Sequence, residues 1–443
     1  MAVEALRDAA LAVLRGNDLG ESTKPAPRLY PHQWSWDSAF IAIGLASVDA
    51  DRALRELESL FRAQWRDGRI PHIVFNPDAH DYFPGPERWA STELTDAAPR
   101  SPRTSGLIQP PVHALALEAI WEAADVGIRR RVEELLPRAL QWHRYLATAR
   151  DREGSGLISI YHPWESGTDN SPRWDEPLSR LEAGQTAPYT RHDLKHVVDP
   201  AERPTQAEYD RYLWLVDLLK EAGYDDARIH AAHPFLIKDM LMTAIFAAAC
   251  TALARLIGSG GGDGGFSRDA ARELEEWGRR SVGAVLGARS VDGLALDWDV
   301  RAAKPIDVRT CAGLAPLLLP SLPPDVLERT VSLLCGPWFA GAPGLLQPVV
   351  PSTSPGSPGF QARAYWRGPI WPVMNWLLWR GLRGHGQFEA ASALRQANLA
   401  LLSREEARFA EYLEPYTGEA LGSVDQSWTA AVVLDWLAHP GRE

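Results

Sequence analysis

Apolar residues recur along much of this chain at the three-and-four spacing of amphipathic helices. Asp49 is placed to cap a helix in which Ala53, Leu57, Leu60 and Phe61 share one face. Pro110 and Pro111 open a second, followed by Leu115, Ala119, Ile120 and Ala123 at helical intervals. Residues 234–257 are apolar almost throughout and predict a long, mostly buried helix, ended by a glycine run that begins at Gly258. Further helices are predicted over 268–288, 324–334, 388–402 and 424–438. At the N-terminus Glu4, Arg7 and Asp8 stand among alanines and leucines, the pattern of an amphipathic helix and not of a signal segment.

Between these elements lie 65–109, 160–210, 291–310 and 336–372, segments rich in Gly, Pro and Trp without a sustained period. Loops of that length are usually functional or disordered, and these are too aromatic for disorder. Alternating β-branched positions are almost absent, so the expectation is an all-α core with little sheet. The glycines of 258–265 form a candidate domain linker.

Composition narrows the function classes. A chain of 443 residues can bury a sizeable core as one large domain or a few ordinary ones. A hydrophobic content of 45% with 23% charged residues is that of a soluble globular protein. The net charge of −11 argues against a nucleic-acid or anionic-membrane partner, so any anionic ligand must be held by local donors. Cys250, Cys311 and Cys335 are odd in number and far apart, which predicts free thiols and a cytoplasmic protein. The apolar run 240–254 is too short to span a bilayer.

The densest chemistry is Trp164-Glu165-Ser166-Gly167-Thr168-Asp169-Asn170-Ser171-Pro172-Arg173-Trp174. Carboxylates, an amide, a guanidinium and indoles crowd a stretch with no apolar period, broken by Gly167 and Pro172. A sugar site needs this mixture: aromatic faces for the ring, fixed polar groups for hydroxyls and an acid for the glycosidic oxygen. A solvated loop with buried indoles is the alternative explanation.

The Glu-Ser-Gly-x-Asp sequence followed by Arg-Trp resembles the acid motif of glycoside hydrolase families 63 and 37. Trp34-Ser35-Trp36-Asp37, Gln109-Pro110-Pro111, Tyr365-Trp366-Arg367-Gly368-Pro369-Ile370-Trp371-Pro372 and Glu411-Tyr412-Leu413-Glu414-Pro415-Tyr416-Thr417-Gly418 follow in that family order. The resemblance narrows to short bacterial members of family 63 that split glucosylglycerate and mannosylglycerate. It does so through 14–20 (Leu-Arg-Gly-Asn-Asp-Leu-Gly), 81–86 (Asp-Tyr-Phe-Pro-Gly-Pro) and 208–214 (Glu-Tyr-Asp-Arg-Tyr-Leu-Trp). It implies an (α/α)6 barrel, or six-hairpin toroid, as a single catalytic domain over 1–443, with lid loops from about 65–109 and 160–210. No internal repeat derives that barrel independently.

Glycoside hydrolysis usually requires two carboxyl groups, and inverting enzymes separate them by roughly 6.5–9.5 Å to admit water. By resemblance Asp169 is the general acid and Glu411 the base, with Glu414 and Glu419 as nearby competitors. Trp164 and Trp174 are expected to desolvate Asp169, and Glu165 to repel its charge, both of which raise a carboxyl pKa. Trp36 and Asp37 resemble the sugar-binding floor, Trp366 and Trp371, beside Tyr365, the facing wall, and Trp164 and Glu165 of the acid motif are expected to contact the substrate as well. For the glycerate aglycone the resemblance points to Tyr82, Gln109, Arg203, Tyr209 and Gln426. Ser423-Val424-Asp425-Gln426 is also a capping-box sequence, which would give Gln426 a purely helical role. The loop 176–193 has little in common with the other members that the resemblance draws on.

The leading expectation is an inverting α-glycosidase acting on a small anionic glycoside, glucosylglycerate or mannosylglycerate. A trehalase or oligosaccharide α-glucosidase is the second. An isomerase or epimerase on the same barrel is the third, since His32, His72, His113 and His162 lie near the motifs. A sugar-binding protein without activity would need neither Asp169 nor Glu411. No cluster has metal-ligand spacing, so neither a metal nor an organic cofactor is expected. The sequence leaves glucose against mannose, and assembly as a homo-oligomer, open.

Overall fold

Helices dominate the computed structural model, which describes residues 3–195, 199–259, 265–288 and 292–440, with side chains of the third stretch from 268 onward. Where a face is amphipathic, the predicted element is present. Asp49 accepts from the Arg52 amide and starts Ala50–Arg62, whose Ala53, Leu54, Leu57, Leu60 and Phe61 are buried. Helices Gly265–Gly287, Pro324–Cys335 and Phe388–Leu402 fall close to their predicted spans. Val3–Gly16 is the expected N-terminal helix, burying Leu6, Ala10, Leu11 and Leu14.

A second class of helix is buried nearly all round; Ser427–Ala438 is expected from the sequence and Ser35–Ala46 is not. Ser35–Ala46 buries every residue, and Ser427–Ala438 all but its last two. These apolar helices contact one another in a closed circuit. Ser35–Ala46 packs on His113–Ala123, which packs on Met240–Ser259. Met240–Ser259 packs on the 3-10 helix Cys311–Leu318, and that on Pro372–Gly384. Pro372–Gly384 meets Ser427–Ala438, which returns to Ser35–Ala46. Amphipathic helices back this circuit from outside: Ala50–Arg62 on Ser35–Ala46, Gly265–Gly287 on Met240–Ser259, and Phe388–Leu402 on Pro372–Gly384.

Several boundaries differ from expectation. The helix predicted from Pro234 begins at Met240, because Ile237–Lys238 pairs antiparallel with Ser159–Ile160 and with Asp299 and Trp298. Asp239 accepts from the Met242 amide and so opens the helix. Met240–Ser259 is then long and apolar enough to cross a membrane by length and composition, contrary to expectation, but 83% of its apolar window is buried inside the protein. Of the predicted glycine linker, 260–264 lie outside the described residues, and the helices on either side pack along each other. The loop 160–210 is also less irregular than predicted, since Gln206–Glu221 is a helix with a complete Thr205/Glu208 capping box.

What strand there is occurs in two- and three-residue pieces beside the loops. Gln33–Trp34 pairs with Ile73–Val74, Tyr412–Leu413 with Ala420–Leu421, and Ser159–Ile160 is the edge of a four-stranded sheet. Each fastens one motif-bearing segment: Trp36-Asp37, Glu411 and the approach to Asp169, respectively.

Candidate active site

The segment 163–174 is two 3-10 turns, Pro163–Ser166 and Pro172–Trp174, joined by the residues around Asp169. Buried charge pins both ends. Glu165 receives Arg150 through both guanidinium nitrogens at 2.7 and 2.8 Å, and accepts from the Tyr161 and Ile108 amides. Arg173 donates to Asp297 at 2.6 Å and to the Thr168 hydroxyl at 2.7 Å. Between these anchors Gly167 takes φ +72°, and a Cβ there would stand 2.6 Å from the Trp36 indole. Only glycine lets the segment pass this close to the ring.

Glu165 is therefore not the substrate contact it was expected to be but a structural anchor, fully enclosed and outside the cavity wall. Its charge is absorbed by Arg150, which together with two amide donors holds its carboxyl below the ordinary range despite burial. The main causes that raise Asp169 are burial and Glu411, not Glu165. Trp174 is likewise buried away from the cavity, its indole N–H donated to the Thr168 carbonyl.

Asp169 itself opens onto a cavity of about 110 Å³. Burial pushes its carboxyl up to about 7; the charge of Glu411 adds to this, whereas Arg203 opposes it. Tyr365 donates to Oδ2 at 3.4 Å, and Tyr212 to the Asp169 carbonyl at 3.0 Å. Tyr365 holds φ +46°, an unfavourable backbone for a bulky residue that the surrounding packing must enforce.

Across the cavity, Glu411 is 2% exposed. Tyr30 donates to Oε1 at 2.7 Å, while the Ser423 amide at 3.1 Å and hydroxyl at 3.3 Å serve Oε2. The Tyr30 and Tyr365 hydroxyls approach to 3.5 Å, so two phenols bridge one carboxylate to the other. The competitors of Glu411 lie elsewhere. Glu414 accepts from the Tyr416 and Thr417 amides in its own turn, and Glu419 pairs with Arg363 at the surface. Asp37 is in the first turn of Ser35–Ala46, where burial and then Glu411 raise its carboxyl well above the usual range.

Indoles form part of the cavity wall. Trp366 and Trp371 stack at 3.7 Å and 5°, and Trp36 stands 6.4 Å from Trp366. Trp164, Tyr82 and Tyr209 line the other side. Gln109 lines the cavity and accepts from the Trp36 amide at 3.3 Å. Gln426 also lines it, and the capping-box alternative fails. The helix starts only at Ser427, no side chain caps it, and the Gln426 amide oxygen accepts from Ser423 Oγ at 2.7 Å.

Arg203 follows the turn Pro200–Glu202 and is 8% exposed. Nη2 donates to the Tyr30 hydroxyl at 3.1 Å, and the guanidinium lies 4.2 Å over the Tyr365 ring. Nε and Nη1 have no hydrogen-bond partner, with Asp193 at 3.7 Å and Glu411 at 3.8 Å just beyond reach. Arg203 is thus a buried cation that lines the cavity and has hydrogen-bonding capacity left over.

Tyr30, His192, Asp193 and Trp428 also line the cavity and were not anticipated. Tyr30 stands in irregular backbone among prolines, and His192 and Asp193 fall in the loop 176–193. Of the four histidines considered as proton shuttles, His72 alone lines the cavity. Burial holds it neutral, well below its usual range, and pushes His113 and His162 down to about 3. Among the described residues no group of three or more His, Cys, Asp or Glu converges as a metal site.

Comparison with known proteins agrees with this geometry. The mannosylglycerate hydrolase MGH1-like glycoside hydrolase domain matches residues 30–429. The chain is 47% identical to the glucosylglycerate hydrolase of Mycolicibacterium hassiacum, over 97% of this chain and 96% of that protein. It is 41% identical to the mannosylglycerate hydrolase of Thermus thermophilus, over 96% of this chain and 99% of that one. A crystal structure of a Thermus thermophilus family 63 mannosylglycerate hydrolase with Tris and D-glycerate superposes with a TM-score of 0.88, covering 97% and 99% of the two chains at 39% identity. The fold is thus of the α/α-barrel class, and the chain belongs to the MGH1-like mannosylglycerate hydrolase family of glycoside hydrolases.

Proposed function

We propose that this chain is an inverting α-glycosidase that hydrolyses glucosylglycerate, mannosylglycerate or both to hexose and D-glycerate. Asp169, holding a proton near neutral pH, gives it to the glycosidic oxygen as the bond to the anomeric carbon breaks. Glu411, fixed by Tyr30 and Ser423, takes a proton from the water attacking the opposite face. Trp36, Trp366 and Trp371 present apolar faces to the sugar, and Asp37 accepts from its hydroxyls. The aglycone carboxylate is received by Arg203, with Tyr82, Gln109, Tyr209 and Gln426 around it.

The observation that carries the reading is Arg203, a buried cation lining the same cavity as Asp169 and Glu411, with two N–H groups that make no hydrogen bond. A trehalase has no anion to place there. The barrel we assign as a six-hairpin toroid, supported by the closed circuit of buried helices with amphipathic helices behind it. The whole chain is one catalytic unit in this reading, with lids from 65–109 and 160–210.

Product release from glucosylglycerate, mannosylglycerate, trehalose and kojibiose tests the substrate class directly. Arg203→Ala should raise KM for glucosylglycerate by roughly ten- to a hundredfold, the cost of a charge-assisted contact, and leave KM for neutral glucosylglycerol nearly unchanged. Equal losses on both substrates would make Arg203 structural. Hydrolysis of trehalose without glucosylglycerate would overturn the reading.

A further inference from the structure

Arg203 touches more than the place assigned to the aglycone. Its guanidinium rests on the Tyr365 ring at 4.2 Å, and the hydroxyl of that ring is 3.4 Å from Asp169 Oδ2. On its other side Nη1 stands 3.8 Å from Glu411 Oε1 without a hydrogen bond. One buried cation therefore faces the aglycone place, the acid and the base together.

We propose that the aglycone carboxylate, by engaging Arg203, places the proton on Asp169, so that the anionic half of the substrate arms the acid that cleaves it. The inference rests on the reading that Arg203 receives that carboxylate. In the free cavity the charge of Arg203 favours ionised Asp169, opposing burial and Glu411. A carboxylate on Nε and Nη1 cancels that charge and adds a negative one nearby. Both changes favour the protonated acid. The proton is taken from solvent, passes to the glycosidic oxygen on cleavage, and leaves as the new glycerate hydroxyl.

The other groups around Asp169 do not substitute for this effect. Asp37 and Glu411 are carboxyls and act in the same sense whether or not ligand is bound. Tyr365, Tyr212 and Tyr82 are raised far above neutrality by burial and stay uncharged. Around Arg203, Asp193 accepts two hydrogen bonds from Arg191 and stands 3.7 Å from Arg203 Nε, a contact present with or without ligand. A neutral aglycone adds no negative charge beside Arg203, so discrimination should appear in kcat as well as in KM.

Calorimetry of D-glycerate binding near pH 7, in buffers of different ionisation enthalpy, reads the proton directly. We expect net uptake of a fraction of a proton per site, lost in Asp169→Asn and absent with glycerol. Glycerate that binds without uptake, or with the same uptake in Asp169→Asn, would overturn the inference and leave the substrate assignment standing. No binding of glycerate would remove the reading beneath it. In kinetics, the basic limb of kcat should lie about one pH unit higher for glucosylglycerate than for glucosylglycerol. The basic limbs of kcat/KM, which report the free enzyme, should coincide; coincident kcat limbs would also reject the inference.

Discussion

Glu165 and Arg150 form a two-pronged ion pair buried on both sides, with side-chain exposures of 0% and 2%. The same carboxylate accepts from Ile108, next to Gln109, and from Tyr161, three residues before Trp164. One side chain thus ties the acid segment to a cavity wall, without entering the cavity. Removing one partner of such a pair strands a buried charge, at about 3–5 kcal/mol. Glu165→Ala and Arg150→Met should therefore lower the unfolding free energy by that amount, read as a fall in the urea midpoint, with activity falling alongside. A variant that lost turnover at an unchanged midpoint would return Glu165 to the substrate.

The assignment of the base can be checked against its two neighbours. Glu411→Ala should lose several orders of magnitude in rate while its melting temperature stays within a few degrees. Glu419→Ala, at an exposed ion pair, should be nearly silent in both. Glu414→Ala should cost stability through its lost turn contacts and keep most of the turnover per folded molecule. Activity surviving in Glu411→Ala and vanishing in Glu414→Ala would exchange their roles.

Gly422 is the tightest point behind the base. It adopts φ +68°, and a Cβ there would meet Glu411 Oε2 at 2.6 Å and clash with the Tyr412 ring. Gly422→Ala should displace the Glu411 carboxylate and reduce kcat by about a hundredfold, the usual cost of misplacing a catalytic group by an ångström. Binding of D-glycerate, which depends on Arg203, should change far less. Normal kcat in this variant would show that the hairpin absorbs the methyl without moving Glu411.

The sequence was legible where local physics decides structure. The amphipathic stripe of Ala53, Leu57, Leu60 and Phe61, the Asp49 cap and the Phe388–Leu402 helix needed no tertiary context. Ser35–Ala46 and Pro372–Gly384 escaped the same reasoning, because helices buried nearly all round carry little period to detect. At the site, motif resemblance indicated Asp169, Glu411 and Arg203 but could not separate cavity-facing from buried neighbours. Glu165 and Asp169 stand four residues apart in one motif, and only the position of Arg150 decides which faces the cavity. Tyr30 had no local signal at all, since its role comes from three partners more than 170 positions away.

The acid should also weaken the fold that holds it. Burial raises the Asp169 carboxyl from 3.8 to about 7, so the folded protein retains a proton that the unfolded chain has released between those values. Its contribution is fully present below about pH 4 and is lost as pH rises through about 7. Above pH 7 the folded state carries a carboxylate that it accommodates poorly. Asp169→Asn removes this ionisation and should gain on the order of 2–4 kcal/mol relative to wild type at pH 8. At pH 4 the wild-type carboxyl is itself protonated in the folded state, and the two proteins should unfold at nearly the same urea concentration. The difference between variant and wild type, measured at both pH values, cancels the titration of every other group. Equal gains at pH 4 and pH 8 would mean that Asp169 ionises normally in the fold and has no raised pKa to serve as an acid.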